Sequence, residues 1–565
     1  MPKNRQNVDD ACLSLGSISD KYPEDSFITK LVDIQSSRVA PQKSIKFIEN
    51  LECLDFPLAR KRHGSRIINN LDPLILKRKT IDAFQRRRYV ALSYPWQPPS
   101  REPKTPARRY LVEERISMRP MPSPVRGSVL SRAIKYMKYV SARYLWIDQH
   151  CIDQRNGEEK EVGMQTMDRV YSLSKYPVAL LSEPIERESE LQLLVEILTG
   201  HFIYEDDNAY MLSDETSLQR ALEAIQLLKY ITSDVWFSRG WIFQENYRAG
   251  IRMTLLIPIP WKLNKRKPCK LFGYVNKELC INSADFHKEA SRLCLAYKRH
   301  QPPPAYLEDI LSRAGKYTVL LQSMNVYDNK SAPTSMTPTI IEDILARDLT
   351  MKWDRLPIIA NCCQYSERLD STKLQARGHS LSLSILTLCL INGEILSNHR
   401  LDDRSMSTVK KSTITEFLKM HMFDRLQSPS PKRRLTFNKG CRFNNVKLTK
   451  EGVETTGHLW RLEEFIPTAR FSVDPRSEHE AGSERFSYSE LSRLKHLVDD
   501  LSRRGHKALS KQINRVLRSL EPNNFAKKWQ IDMARNIVAA ISQRKTLCVA
   551  KMVRLLAQAA LRILQ

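Results

Sequence analysis

The sequence predicts an α/β protein built on a parallel sheet, and three observations carry that expectation. Short, near-continuous apolar runs occur at Tyr89–Tyr94, Tyr144–Asp148 and Val178–Leu181, the pattern of strands buried on both faces. Two helical periods, Ser128–Val140 and Glu158–Ser174, alternate with them, and strand–helix–strand alternation is the mark of parallel crossover units. Polar clusters follow the first two runs at their carboxyl ends, where open α/β sheets bind ligands.

At 565 residues the chain exceeds one ordinary core, so several domains are expected. Hydrophobic residues make up 42% and charged residues 27%, a globular composition. No apolar run reaches the ~18–20 residues of a membrane span, since Leu381–Ile395 is interrupted by Ser382, Ser384, Thr387, Asn392 and Glu394. The first residues lack the apolar core of a signal peptide. Eleven scattered cysteines, none in Cys-x-x-Cys spacing, point to reduced thiols and a cytoplasmic or nuclear setting. The net charge of +27 suits acidic partners such as nucleic acid, although the basic residues fall in short separate runs that solvated loops also carry.

In chain order, residues 1–45 read as loosely ordered, with a short helix near Ile28–Ile34, and Asn69–Pro73 is a turn. After Tyr94, Pro95 ends the first strand and the proline-rich Gln97–Pro124 reads as an irregular connection. Ser128 is placed to cap the following helix, and Val129, Leu130, Ala133, Ile134, Met137 and Val140 form its apolar face. Asn156–Gly157 turns the chain into the next helix, whose acidic start suits the helix dipole. Phe237–Glu245 reads as a helix or tight turn bearing Trp241 and Glu245. Helices are also expected at Ala290–Lys298, Leu307–Leu321 and Leu381–Leu396, a polar linker at Asp328–Thr339, and a hairpin about Lys450–Gly452. From 484 onward 17 Lys and Arg stand against 6 Asp and Glu. This end reads as a basic helical tail, with Lys551–Leu564 an amphipathic helix. The expected domains are a flank at 1–85, the α/β domain at 86–250, an extension at 251–483 and the tail at 484–565.

Candidate chemistry gathers after the strands. Asp148 and Asp153 stand where a carboxylate binds a ribose hydroxyl or serves as general base, and Asp148 at such a place is equally a helix-capping residue. Glu245, beside Gln244 and near Arg239, fits either a catalytic acid or half of a buried ion pair. Ser93, Trp96, Gln154 and Trp241 complete the expected rim, with Trp96 the aromatic placed to stack on a ligand. Trp146 reads as core, and Trp96 and Trp241, as large aromatics, read as core as well. His150–Cys151 lacks a second cluster at ligand spacing, and neighbouring side chains of an extended segment diverge, so neither a metal site nor a Cys–His dyad is expected. No phosphate-binding glycine loop occurs, and no cofactor is expected.

Three blocks resemble those of the fungal heterokaryon-incompatibility (HET) domain. Tyr89, Ala91, Leu92, Ser93, Tyr94 and Trp96 match the first, with Gln97 where glycine is usual. Leu145–Gln154 matches the second throughout, and Arg239, Trp241, Gln244 and Glu245 match the third. Trp353–Ala360 and Arg442–Trp460 are similar to further stretches of such proteins. The resemblance implies nonself recognition leading to growth arrest or cell death, with protein partners through self-assembly or an incompatibility partner. It also implies a flavodoxin-like fold, through a distant relation to TIR domains. Some TIR domains cleave NAD with a glutamate, which makes a NAD or nucleotide hydrolase the alternative function, although no residue of this chain aligns with that glutamate.

Overall fold

Apolar runs too short for helices become the middle of a nine-stranded mixed sheet. Its strands are β1 (Leu51–Asp55), β2 (Leu74–Ile81), β3 (Tyr89–Ser93), β4 (Tyr110–Glu113), β5 (Pro120–Pro122), β6 (Tyr144–Trp146), β7 (Val178–Leu180), β8 (Thr254–Pro258) and β9 (Glu278–Asn282). They lie in the order β9-β8-β7-β3-β6-β1-β2-β4-β5. This computed structural model describes residues 9–21, 27–56, 74–98, 110–206, 209–299, 303–314, 336–394, 403–421, 435–437, 443–456, 459–471, 486–519, 528–542 and 544–553.

The four central strands are parallel. Val90 lies opposite Leu145 and Ala91 opposite Trp146 on one side of β3, while Leu92 meets Val178 and Ser93 meets Ala179 on the other; β8 continues in parallel beside β7. All five residues of β3 are buried, which is why its sequence runs apolar without alternation. The sheet is not parallel throughout: β9, β1 and β5 run antiparallel to their neighbours. The stretch read as irregular contributes β4 and β5, and Gln97, Pro98 and 110–124 are its described part. Pro120 and Pro122 sit in an exposed edge strand, where a missing N–H costs no ladder bond.

Helix α1 (Gly127–Tyr139) joins β3 to β6, and α3 (Gly157–Leu173) joins β6 to β7, after a short turn of helix α2 (Asp148–Cys151). The two crossovers run in opposite directions along the sheet, so right-handed connections put α1 and α3 on opposite faces. Ser128 does not cap α1: Arg126 holds the N-cap position and makes no side-chain cap bond. Asn156 caps α3 through the N–H groups of Glu158 and Glu159, both at 3.1 Å. Arg132 on α1 ties the sheet down, donating to the carbonyls of Leu181 (2.6 Å) and Leu256 (2.9 Å) and pairing with Glu278 at 2.8 Å.

The chain divides into two compact units, Met1–Asp424 with Arg442–Glu454 and Ala560–Gln565, and Arg425–Cys441 with Thr455–Ala559. In the first, a second core lies around Leu381–Ile391, a helix buried over its whole length that Gly393 follows at φ +75°. The expected linker gives way at its end to the helix Met336–Leu345; residues 328–335 and 315–321 lie outside the described residues. In the second unit Leu459–Ile466 pairs antiparallel with both Leu435–Phe437 and Leu547–Val553, and three helices, Tyr488–Arg503, Lys507–Ser519 and Lys528–Ser542, accompany them. Lys551–Val553 therefore end a strand rather than begin an amphipathic helix; residues 554–564 are not described. Among the described residues no helix is long and apolar enough to cross a membrane.

Candidate functional site

The carboxyl ends of β3 and β6 open into a pocket of about 660 Å³. Each wall follows from a strand that stops. Pro95 halts β3, and the chain beyond it exposes Trp96, 40% accessible, and Gln97. Beyond β6 the chain turns at once into α2, so Asp148 stands at the mouth. The third wall is built by α4 (Val235–Ser238) and α5 (Gly240–Ala249), which bring Arg239, Trp241 and Glu245. These helices are anchored to the end of β7, where Asp234 Oδ2 accepts from the N–H groups of Ser182 (2.5 Å) and Glu183 (3.0 Å).

Asp148 is fixed on both oxygens. Trp96 Nε1 donates to Oδ2 at 2.7 Å, and the backbone N–H of Gln149 to Oδ1 at 2.8 Å. Its carboxylate therefore ties the loop after β3 to the first turn of α2. Tyr94 OH donates to Gln149 Oε1 at 2.9 Å, and Gln154 Nε2 donates to the Asp148 carbonyl at 3.2 Å. Glu245 is buried, 6% accessible, and its Oε2 has no hydrogen-bond partner. No ion pair joins it to Arg239 among the described residues. Trp241 Nε1 donates to Asp354 Oδ2 at 2.8 Å.

Burial dominates the electrostatics here. It lifts Asp148 to about 6, against the hydrogen bonds of Trp96 and Gln149 and the charge of Arg239. It lifts Glu245 to about 8, where a hydrogen bond with Ser93 opposes, the charge of Asp148 adds, and Arg239 opposes again. Asp354 rises to about 6 through burial, against Trp241 and Lys160. At neutral pH Asp148 is thus ionised while Glu245 keeps its proton. Two carboxyl groups whose surroundings separate their titrations are the pattern of an acid–base pair.

The expected rim residues divide. Trp96, Asp148, Gln154, Arg239, Trp241 and Glu245 line the pocket. Ser93 lies behind it, fully buried, its hydroxyl accepting from Trp236 Nε1 at 2.9 Å. Asp153 turns away, accepting from the N–H of Arg155 at 2.9 Å and facing Arg115 at 4.0 Å. Gln244 is buried and accepts from Asn361 Nδ2 at 3.2 Å. His150 is likewise structural: its Nε2 is 2.8 Å from Ser123 Oγ, and burial pulls the ring down to about 4. The sequence reading missed Tyr94, Lys160, Asp348, Lys352 and Asp354, all of which line the pocket. Two of them had a signal: Tyr94 stands in the first block and Asp354 in the Trp353–Ala360 stretch.

No curated protein and no solved structure matches the chain. The model of the family described as Heterokaryon incompatibility protein (HET) matches residues 89–245, from the first residue of β3 to Glu245 inside α5. That span holds all three sequence blocks, which meet around one pocket, and on this match the chain carries a HET domain over residues 89–245.

Proposed function

We propose that this chain is a heterokaryon-incompatibility effector of fungal nonself recognition, and that its HET domain provokes growth arrest or death by cleaving a nucleotide of the NAD class. The observation that carries the second part is the pocket. It combines an exposed indole face at Trp96, the Arg239 and Lys160 cations, and a carboxylate and a protonated acid side by side in function. An aromatic face suits a base, cations suit phosphates, and an acid–base pair suits hydrolysis. A flat, filled rim would have favoured an effector acting through contacts alone.

The flavodoxin-like, TIR-like reading of the domain belongs with this proposal. The parallel strands β8-β7-β3-β6 follow the order 4-3-1-2 in the chain, which read from the other edge is the start of the flavodoxin order. Its switch point falls between β3 and β7, beside the pocket. On this reading the protein acts in the cytoplasm, with access to the nucleus, and responds to a protein partner by self-assembly or by binding an incompatibility partner.

Inducible expression of the full chain in a fungal host tests both parts. The wild type is expected to arrest growth and deplete cellular NAD, and Asp148→Ala or Glu245→Ala to relieve both. Arrest that persists in both variants would refute the pocket's role. Arrest with unchanged NAD, lost in the variants, would leave the effector and remove NAD as the substrate.

A further inference from the structure

Asp354 lies beyond the HET span, yet it faces the same pocket. It stands at the N-cap of α6 (Arg355–Cys362), where an aspartate in extended backbone accepts from the first turn, but Asp354 has right-handed helical angles and ends a 3-10 turn, Lys352–Asp354, that runs straight into the helix. Here the side chain makes no such bond. It turns into the pocket, and Trp241 Nε1 holds one oxygen. Its carboxylate is thus directed to the pocket rather than to its own helix.

The segment that delivers it is seated firmly. Arg347 reaches the carbonyl of Phe237 and lies 4.7 Å over the ring of Phe243. Asp348 N–H donates to the Ser238 carbonyl at 3.1 Å, and Gly240 N–H to the Asp348 carbonyl at 3.2 Å. Any side chain at Gly240 would meet Leu349 at 3.0 Å. The backbone is thus laced on both sides of Arg239, a few residues before Asp354.

The geometry points to Asp354 as the residue that receives the two ribose hydroxyls of the bound nucleotide, which makes the pocket selective for ribose over sugars lacking them. This rests on the nucleotide reading above. A carboxylate with one oxygen pinned offers the other to neighbouring hydroxyl donors, the chemistry by which acidic residues read a ribose. The other two acids are less suited. Both oxygens of Asp148 are already engaged, and Glu245, buried and protonated, carries no negative charge to receive two hydroxyl donors. Burial raises Asp354 to about 6, opposed by the Trp241 hydrogen bond and then by the charge of Lys160, so it is ionised at neutral pH, and Lys160, which lines the same pocket, stands ready for a phosphate on the same ligand.

Calorimetric titration of the full chain with ADP and with 2′,3′-dideoxy-ADP tests this. The wild type is expected to bind ADP at least tenfold more tightly. Asp354→Asn, nearly isosteric, should bind the two alike, with the dideoxy affinity unchanged from wild type and the melting temperature within a few degrees. Discrimination that survives in Asp354→Asn, or a wild type that binds both equally, would overturn the assignment while leaving the nucleotide site standing. A wild type that binds neither would overturn the nucleotide reading and this assignment with it.

Discussion

Replacing Glu245 by glutamine should make the protein more stable while abolishing its effect on growth. Glu245 is shifted from 4.5 to about 8, so the folded state holds its proton far more tightly than the unfolded chain does. The sign follows by linkage: the contribution to stability is complete below pH 4.5 and is lost as pH rises through 8. At about 1.4 kcal/mol per pKa unit, the loss reaches about 5 kcal/mol above pH 8 and about 3 kcal/mol at pH 7. Glutamine cannot ionise, and its shape matches the protonated acid already present at neutral pH. Glu245→Gln should therefore be about 3 kcal/mol more stable at pH 7, with the advantage shrinking to under about 1 kcal/mol at pH 5. For a unit of ~400 residues, with unfolding entropy near 2 cal/mol/K per residue, this is a rise of about 4 °C. Melting curves of both proteins from pH 5 to pH 9 measure it, and the difference between them isolates this one group. A buried ion pair with Arg239 would behave oppositely, because breaking it costs about 3–5 kcal/mol. If Glu245→Gln melts below wild type at pH 7 and above, Glu245 is ionised in the fold and the acid–base assignment fails.

Two further outcomes follow from burial. Trp236 is buried with its indole on Ser93, so Trp236→Ala should cost about 3–5 kcal/mol, whereas Trp96→Ala at the pocket mouth should change the melt little yet remove the growth effect; equal melting of the two variants would contradict this. Arg368 and Asp168, both buried, face each other at 3.5 Å, so Arg368→Ala should destabilise by about 3–5 kcal/mol, and Arg368→Met with Asp168→Leu should recover most of it in chemical denaturation.

The sequence revealed the centre of the fold because its strands bury both faces. Tyr89–Ser93 and Tyr144–Trp146 read as strands and pair in parallel as neighbours. The helix Leu381–Ile391 was legible for the same reason. Elements that depend on distant partners were not. Tyr110–Glu113 is a strand because Leu74–Leu76 pairs with it, and nothing local to a proline-rich stretch says so. Leu547–Val553 is a strand because Leu459–Ile466 lies against it; its own residues fit a helical stripe equally well. The site divided along the same line. Asp148, Trp96 and Glu245 follow elements that could be read, and they meet as expected. Gln244 stands one residue from Glu245, and on a helix that single step swings a side chain about 100°, from the pocket to the core. Lys160 and Asp354 reach the pocket only through packing across long separations in sequence.

Gln244 deserves a last consideration. Its carbonyl oxygen takes Asn361 Nδ2, which also donates to the Met164 carbonyl at 2.8 Å, while Arg368 bonds the other end of the Asn361 amide. A residue in the family's third block is thus a peg whose socket is built more than a hundred positions downstream. The span recognisable by sequence is consequently smaller than the span that folds. Cut at Glu245, the chain would present Trp241, Phe243 and Gln244 to water with their partners removed. Recombination or splicing that moved residues 89–245 alone would transfer a signature without its footing, so inheritance of this domain should carry the helices of 340–394 along with it.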